Sequence, residues 1–543
     1  MSLQQFMNTY FLCLAFLFSV LRLSAQESTI FNVKSWGAKG DGYTLDTEAI
    51  QKTIDQCAAK GGGTVLFPAG HYVTATLFLK DNITLEIPAG TTILGDTAIK
   101  NYPVLTPKIA YYSSDNIHFS LFYAEGKKNI SLKGSGIIDG RGSYFKDSSP
   151  FFPKNYNARP FIFWFVQVKN LSVKDLRLQN SGFWMQHYLN CEEVLIDGIN
   201  VFNHSNKNND MMDIDGCKNV RIVNCIGDSD DDGITLKSMN EYLVENVVIS
   251  NCILSSHCNA IKCGTESSGG FKNITITNCV VKPSAVSDKA IYGNPTGNSG
   301  ITLATVDGGQ LDGVLIDNIR ISGPQVPIFL RLGNRARPYK KGQGAVPVGT
   351  LRNVQISNII ATGASKLGCL LAGLPGHELE NVHLSNISIT FSGGGTTEDA
   401  KKQLPENEKK YPDAEQFGVN NAYGFQVRHA RNISLTNIRL YYESPENRPA
   451  LVLDDVANGT LESVSAMVSA QSEAFVKVMN SGKVRIANCI PVLTSTATTF
   501  LKIENGFYSN IVLMNNDVRG FSKAVEAEKD IAERVTRMGN IER

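Results

Sequence analysis

The chain has 543 residues, of which 42% are apolar and 19% charged, and its formal net charge is +1. This is an ordinary globular composition and excludes a disordered chain. Residues 1–25 hold one Arg and no acid of the 52 bases and 51 acids, so the remainder carries 51 of each. A nucleic-acid binder is usually basic, so that partner class is excluded, and an acidic ligand must be met by local cations.

Residues 6–21 (FMNTYFLCLAFLFSVL) are mostly apolar and are followed by Arg22 and Leu-Ser-Ala. This predicts a signal peptide cleaved near Ala25 and export to the periplasm or the medium. The alternative is an uncleaved anchor, for which the stretch is short against the ~20 residues of a spanning helix. No later segment has that character, so no stable membrane association is expected. Residues 46–61 place Ile50, Ile54 and Ala58 at helical spacing, with Gly61–Gly63 as a stop. They predict an amphipathic cap over whatever follows.

From there a short polar-Asn-apolar-polar-apolar phrase recurs, as KNISL at 128, KNLSV at 169, KNVRI at 218, ENVVI at 245 and KNITI at 272. It continues as RNVQI at 352, ENVHL at 380 and RNISL at 431. Asn219, Asn246 and Asn273 are 27 residues apart. Each phrase has the period of a strand, and a second strand-like run follows it. Three short strands per coil of roughly 22–28 residues describe a stack of coils, because one coil cannot bury its inward side chains alone. Asn suits the turns because it tolerates left-handed backbone and bonds the chain with its amide. The expected fold is all-β, a single-stranded right-handed parallel β-helix over 26–543 with an N-terminal helical cap. A β-propeller is the rival, disfavoured by irregular spacing and the lack of four strands per unit.

Ten of the eleven Cys lie beyond the leader, and Cys191, Cys225, Cys252 and Cys279 each follow Asn. The last three are 27 apart, a repeat position and not a metal spacing. They are read as small apolar residues along the stack. Insertions are expected at about 101–122, 143–160, 283–299, 333–349 and 394–424, and a helix over 523–535.

Two acidic clusters fall on neighbouring phrases. NNDMMDIDG carries Asp210, Asp213 and Asp215; DSDDDGITLKS carries Asp228, Asp230, Asp231 and Asp232. Asp210 and Asp231 are 21 residues apart, about one coil, so the clusters should meet on one face. Crowded carboxylates repel. From spacing alone they serve glycoside hydrolysis, which needs an acid and a base together, or a Ca²⁺ site, or solvated turns.

The opening FNVKSWGAKGDGYTLDTEAIQKTIDQCAAKGGGTVLFPAGHYVT resembles that of pectin-acting β-helix enzymes. GSGIIDGRG, RPFIFWF, NSGFWMQH, NNDMMDIDGCKNV, DDGITLKS and HCNAIKCGTESSGG, in this order, resemble the polygalacturonase family, glycoside hydrolase family 28. YPDAEQFG, YGFQVRHARN and RPALVLDDV resemble its bacterial branch. The resemblance spans roughly 30–460. It implies an inverting hydrolase of galacturonic-acid-containing pectic polysaccharide or oligosaccharide, with no metal or other cofactor. Asp231 would be the general acid, and Asp210 and Asp232 would hold the attacking water. Lys237 would hold a substrate carboxylate, screen the aspartates or sit as a surface charge. Trp184 and His187 would line the groove, with core packing the alternative for Trp184.

Two departures stand beside it. His257 takes the family histidine role if a turn precedes Ala260. If the chain is anchored on GTESSGG, Cys258 falls at that position and Lys262 takes over part of the role, because a one-residue slip reverses faces. The Arg-x-Lys that many family members carry one coil later is replaced by GITLAT at 300–305. Lys262, Arg331, Arg335 or Arg428 would then grip the uronate. The long insertions suggest a groove walled at one end and attack from a chain end, with Arg331, Arg335 and Arg337 at the terminal uronate. A β-helix lyase and a non-catalytic carbohydrate-binding β-helix are the rival functions.

Overall fold

An alternating strand carries one apolar row, and here each coil buries that row against the next. The computed structural model describes residues 29–542 apart from 287, 289, 292, 495 and 505–509. The leader expected at 1–25 lies outside the described residues. The strands form one long parallel sheet wound as a right-handed β-helix of three faces. Val194, Val220, Val247, Ile274, Val314 and Val354 lie in register on six successive coils, all buried. The apolar core runs as one cluster from Val33 to Val535.

Helix α1 (Thr47–Ala59) buries Ile50, Ile54 and Cys57 against the start of that core; Ala58 is only half-buried. Among the described residues no helix is long and apolar enough to cross a membrane. The tail departs from expectation. Phe521–Glu526 is a strand paired with Ala497–Glu504, and only Lys529–Ala532 is helical. The open edge of the last coil offers unpaired backbone groups, and pairing with it outweighs a local helix preference.

Asn residues turn the corners. Asn219, Asn246 and Asn273 have φ of 56°, 58° and 55°. Their amides form a ladder, Asn246 donating to Asn219 at 3.0 Å and Asn273 to Asn246 at 3.2 Å. A parallel ladder links Asn318 to Asn278 at 2.8 Å. All ten described cysteines are buried and unpaired, Cys225, Cys252 and Cys279 on successive coils.

One face carries Asp213 and Asp215 and, in the turns that lead into its strands, Asp210, Asp231 and Asp232, whereas Asp228 lies on a strand of another face. The strands of the first face are β1 (Phe161–Val166), β2 (Gln186–Leu189), β3 (Met212–Asp215), β4 (Ile234–Ser238), β5 (Asn259–Ser267), β6 (Ser299–Thr305) and β7 (Val326–Leu332). They pair in that order, all parallel. Register places His187, Asp213, Thr235, Lys262, Thr302 and Phe329 in one outward column.

The ladder makes a testable claim. Asn246→Ala loses two amide bonds and leaves a β-carbon in left-handed backbone, a cost of about 2 kcal/mol. Asn246→Gly keeps the backbone relaxed. The alanine variant should therefore melt at lower temperature than the glycine variant in a thermal scan; equal melting would show that backbone strain contributes nothing at this corner.

Candidate active site

Carboxylates two residues ahead of adjacent strands must share a rung. Met212 pairs with Ile234, so Asp210 before β3 lies against Asp232 before β4. Asp231 precedes it in the same turn and receives the Asp232 N–H on Oδ1 at 2.9 Å. Oxygens of Asp231 and Asp232 and the Cys258 sulfur lie within 4.8 Å of one another. All three aspartates are nearly fully buried. The structure thus gathers Asp210, Asp231 and Asp232, with Asp213 three residues beyond Asp210 in the outward column.

Two lysines share this charge. Lys237 on β4 lies 3.8 Å from Asp210, 3.4 Å from Asp213 and 3.5 Å from Glu266, with its ammonium 4.4 Å above the Trp184 ring. Lys262 on β5 donates to Asp232 Oδ2 at 2.8 Å and contacts the Tyr411 hydroxyl at 2.9 Å. Asn259 donates its side-chain amide to Asp232 Oδ1 at 2.7 Å and its backbone N–H at 3.1 Å. Asn208 donates to Asp231 Oδ2 at 3.2 Å and accepts from Arg159 at 3.2 Å.

These partners separate the carboxyls. Burial, then the Asp232 charge, pushes Asp231 up to about 6. Burial, then Asp213 and Asp231, pushes Asp210 well above the carboxylate range. Burial raises Asp213 to about 8 against the pull of Lys237. Burial acts on Asp232 in the same direction, but Lys262 and Lys237 outweigh it and hold its carboxyl below the ordinary range. One turn therefore presents a proton-holding acid beside an ionised carboxylate, the arrangement acid–base hydrolysis needs. Among the described residues nothing donates to Asp210 Oδ1.

The other expected site residues lie elsewhere. A turn does precede Ala260, yet both ring nitrogens of His257 are engaged away from the three aspartates: Nδ1 faces Asp230 at 2.8 Å and Nε2 the Val286 carbonyl at 2.8 Å. Asp228 completes that contact by accepting from Ser284 and the Ala285 N–H, both at 2.7 Å. Asp228, Asp230 and His257 therefore pin the 283–299 insertion, while Cys258 and Lys262 lie at the carboxylates. His187 is fully buried and bonded to Asp215 at 3.0 Å, a core contact.

Arg331 and Arg428 are engaged by the protein itself. Arg331 donates to the carbonyls of Gly373 and Glu406, at 2.9 and 2.5 Å. Arg428 donates to the carbonyls of Leu404 and Pro405 and to the Glu406 carboxylate. Both guanidiniums hold down the 394–424 insertion, which brings Tyr411 over Lys262. Arg335 pairs with Asp307, and Arg337 with Glu266 at 2.6 Å while lying 3.8 Å from the Tyr112 ring centre. Trp184 packs on Phe161 and Phe183, and it lines a cavity of about 180 Å³ with Tyr112, Arg159, Asn208 and Glu266. Lys237 is buried among Asp210, Asp213 and Glu266 and is not a surface charge.

Asn259, Asn208, Glu266 and Tyr411 carry no signal in the sequence pattern. Asn259 and Asn208 were hidden among many turn asparagines, and Tyr411 sits in a charged run that reads as a solvated loop.

Comparison with known proteins places this geometry. Residues 57–409 match Glycosyl hydrolases family 28. A probable polygalacturonase of Vitis vinifera is 27% identical over 212 residues, 37% of this chain and 43% of that protein. An exo-poly-alpha-D-galacturonosidase of Dickeya chrysanthemi is 28% identical over 251 residues, 38% of this chain and 41% of that protein. The matched stretch thus spans about two fifths of these curated relatives. The solved exopolygalacturonase of Thermotoga maritima shares the fold, with a TM-score of 0.59 at 21% identity over 76% of this chain and 92% of that one. With the family match covering well over half of its length, the chain belongs to glycosyl hydrolase family 28.

Proposed function

We propose that the protein is an exported, inverting exo-hydrolase of galacturonic-acid-containing pectic chains. The observation that carries the reading is the split between adjacent carboxyls, Asp231 raised to about 6 and Asp232 held ionised by Lys262 at 2.8 Å. Asp231 gives its proton to the leaving glycosidic oxygen. Asp232 takes a proton from water, whose oxygen attacks the anomeric carbon as the glycosidic bond breaks. Asp210, across the rung, holds that water with its free Oδ1. Inversion is carried over from the family. The leader at 1–25 supports export. The names of the relatives support the substrate, and Tyr411, Arg331 and Arg428 support chain-end attack, because they fix a wall beside the catalytic rung.

Asp210→Asn, Asp231→Asn and Asp232→Asn should each lower turnover on polygalacturonate by at least the ~10²–10⁴-fold that acid–base catalysis supplies. Near-normal turnover of Asp231→Asn would remove it as the acid. Lys262→Ala should be more damaging to kcat than His257→Ala, whose main effect should be a lower melting temperature; the reverse order would return His257 to the chemistry.

The acid must be protonated and the base ionised. As pH rises through about 6, Asp231 loses its proton and kcat/KM should fall, while the acidic limb lies below the ordinary carboxylate range because Asp232 is depressed. A profile flat from pH 5 to 8 would contradict this assignment.

Digestion of long polygalacturonate should release one small product early with little loss of viscosity, and proton NMR should show the first product with its anomeric configuration inverted. A rapid viscosity drop with a ladder of oligosaccharides would refute chain-end attack, and retention would refute a water nucleophile.

A further inference from the structure

Asp231 and Asp232 are neighbours in one turn, and something must make them unequal. Lys262 is one cause. A second lies one coil further on, where GITLAT replaces the charged motif of the family. Ser299 and Thr302 point from β6 at Asn259, and their hydroxyls lie 2.6 and 3.0 Å from its Oδ1. The two hydroxyls also touch each other, so at least one proton goes to the amide. A carboxylate only accepts, so Asn259 must turn its NH₂ toward Asp232. The hydroxyl contacts fix that orientation from behind. All members of the chain are buried.

We propose that Asn259, oriented by Ser299 and Thr302, is a positioning residue that selects Asp232 as the ionised carboxylate of the pair. The inference rests on the hydrolase reading above. The contrast with Asp231 is geometric. Asp231 receives the Asp232 N–H at 2.9 Å and, at 3.2 Å, the amide of Asn208, which Arg159 orients, whereas Asp232 receives two bonds from Asn259, at 2.7 and 3.1 Å, and one from a lysine. A hydrogen bond to the charged form favours that form, and the effect is large where water is excluded. The column of β4, β5 and β6 thus replaces a cation with a neutral relay.

Other charges face Asp232 and set the background. The carboxyls are Asp210, Asp213 and Asp231 around the rung and Asp413 from the 394–424 insertion, all raised by burial. The cations are Lys237 and Lys262; Tyr411 and Cys258 complete the surroundings. Asn259 also bonds Asp413, so Asn259→Leu removes that contact as well, whereas the Ser299 and Thr302 substitutions leave every one of these groups in place.

Asn259→Leu removes the side-chain bond, and the pair Ser299→Ala with Thr302→Val removes the orienting hydroxyls. Both should move the acidic limb of kcat/KM upward, by about one pH unit for Asn259→Leu, a ~10-fold loss at low pH with a smaller loss at the optimum. The basic limb should stay near its wild-type position. A uniform loss at every pH with an unmoved acidic limb would make Asn259 merely structural and overturn the proposal. Carbon-13 titration of the aspartate carboxyls in the same variants reads the Asp232 ionisation without catalysis. If the wild type fails to cleave polygalacturonate, the hydrolase reading falls, yet a raised Asp232 titration in Asn259→Leu still supports the relay. An unchanged titration in a folded variant refutes it.

Discussion

Everything at the groove depends on the register of one coil upon the next. Parallel coils repeat at about 4.8 Å, so residues at equivalent positions become neighbours whatever their distance along the chain. Burial of the valine and isoleucine columns makes this register costly to change, since a slip of one residue would turn an entire row outward. The same register lays Asp210 beside Asp232 and Lys262 beside Thr302. The apolar interior is thus the ruler that sets distances between charges on the outer face.

That ruler brings together more carboxylates than water would tolerate, and the cluster survives because its charge is shared. Lys237 lies among Asp210, Asp213 and Glu266, and Lys262 is given to Asp232. Burial would hold all four aspartates protonated; the lysines and amides release Asp232. The inequality within one turn is a product of partners and not of the aspartates themselves. Glu266 belongs to the same system: despite burial, Lys237, Arg337 and Arg335 draw its carboxyl far below the ordinary range, which keeps a fixed anion beneath Lys237.

The insertions are attached by charges as well. Asp228, Asp230 and His257 secure the 283–299 segment, and Arg331 and Arg428 secure the 394–424 segment. Each anchor is buried and engages backbone carbonyls or N–H groups, which places loops as firmly as strands. The second acidic cluster is therefore divided in function. Asp228 and Asp230 hold a loop, and Asp231 and Asp232 face the groove. Residues that resemble ligand-binding groups in sequence, arginines above all, serve as pegs for the walls.

The local sequence was enough for the repeat, the strand period, the Asn corners and the aspartates worth attention. Those features depend on side-chain alternation and on chemistry within one phrase. It was also enough to pose the choice between His257 and the Cys258–Lys262 register, because that choice is a matter of alternation along one strand. What the tertiary structure decided was where long or buried polar side chains end. Lys262 meets Tyr411 from 149 residues away, and Arg331 meets Glu406 from 75. The tail at 521–526 became a strand because an open sheet edge was within reach. Asn259 looks like any other turn asparagine until Ser299 and Thr302 are set behind it. A guanidinium, an imidazole or an amide takes whichever partner the folded coils bring within about 3 Å, and that distance is set by register and loop path, which no single stretch of sequence contains.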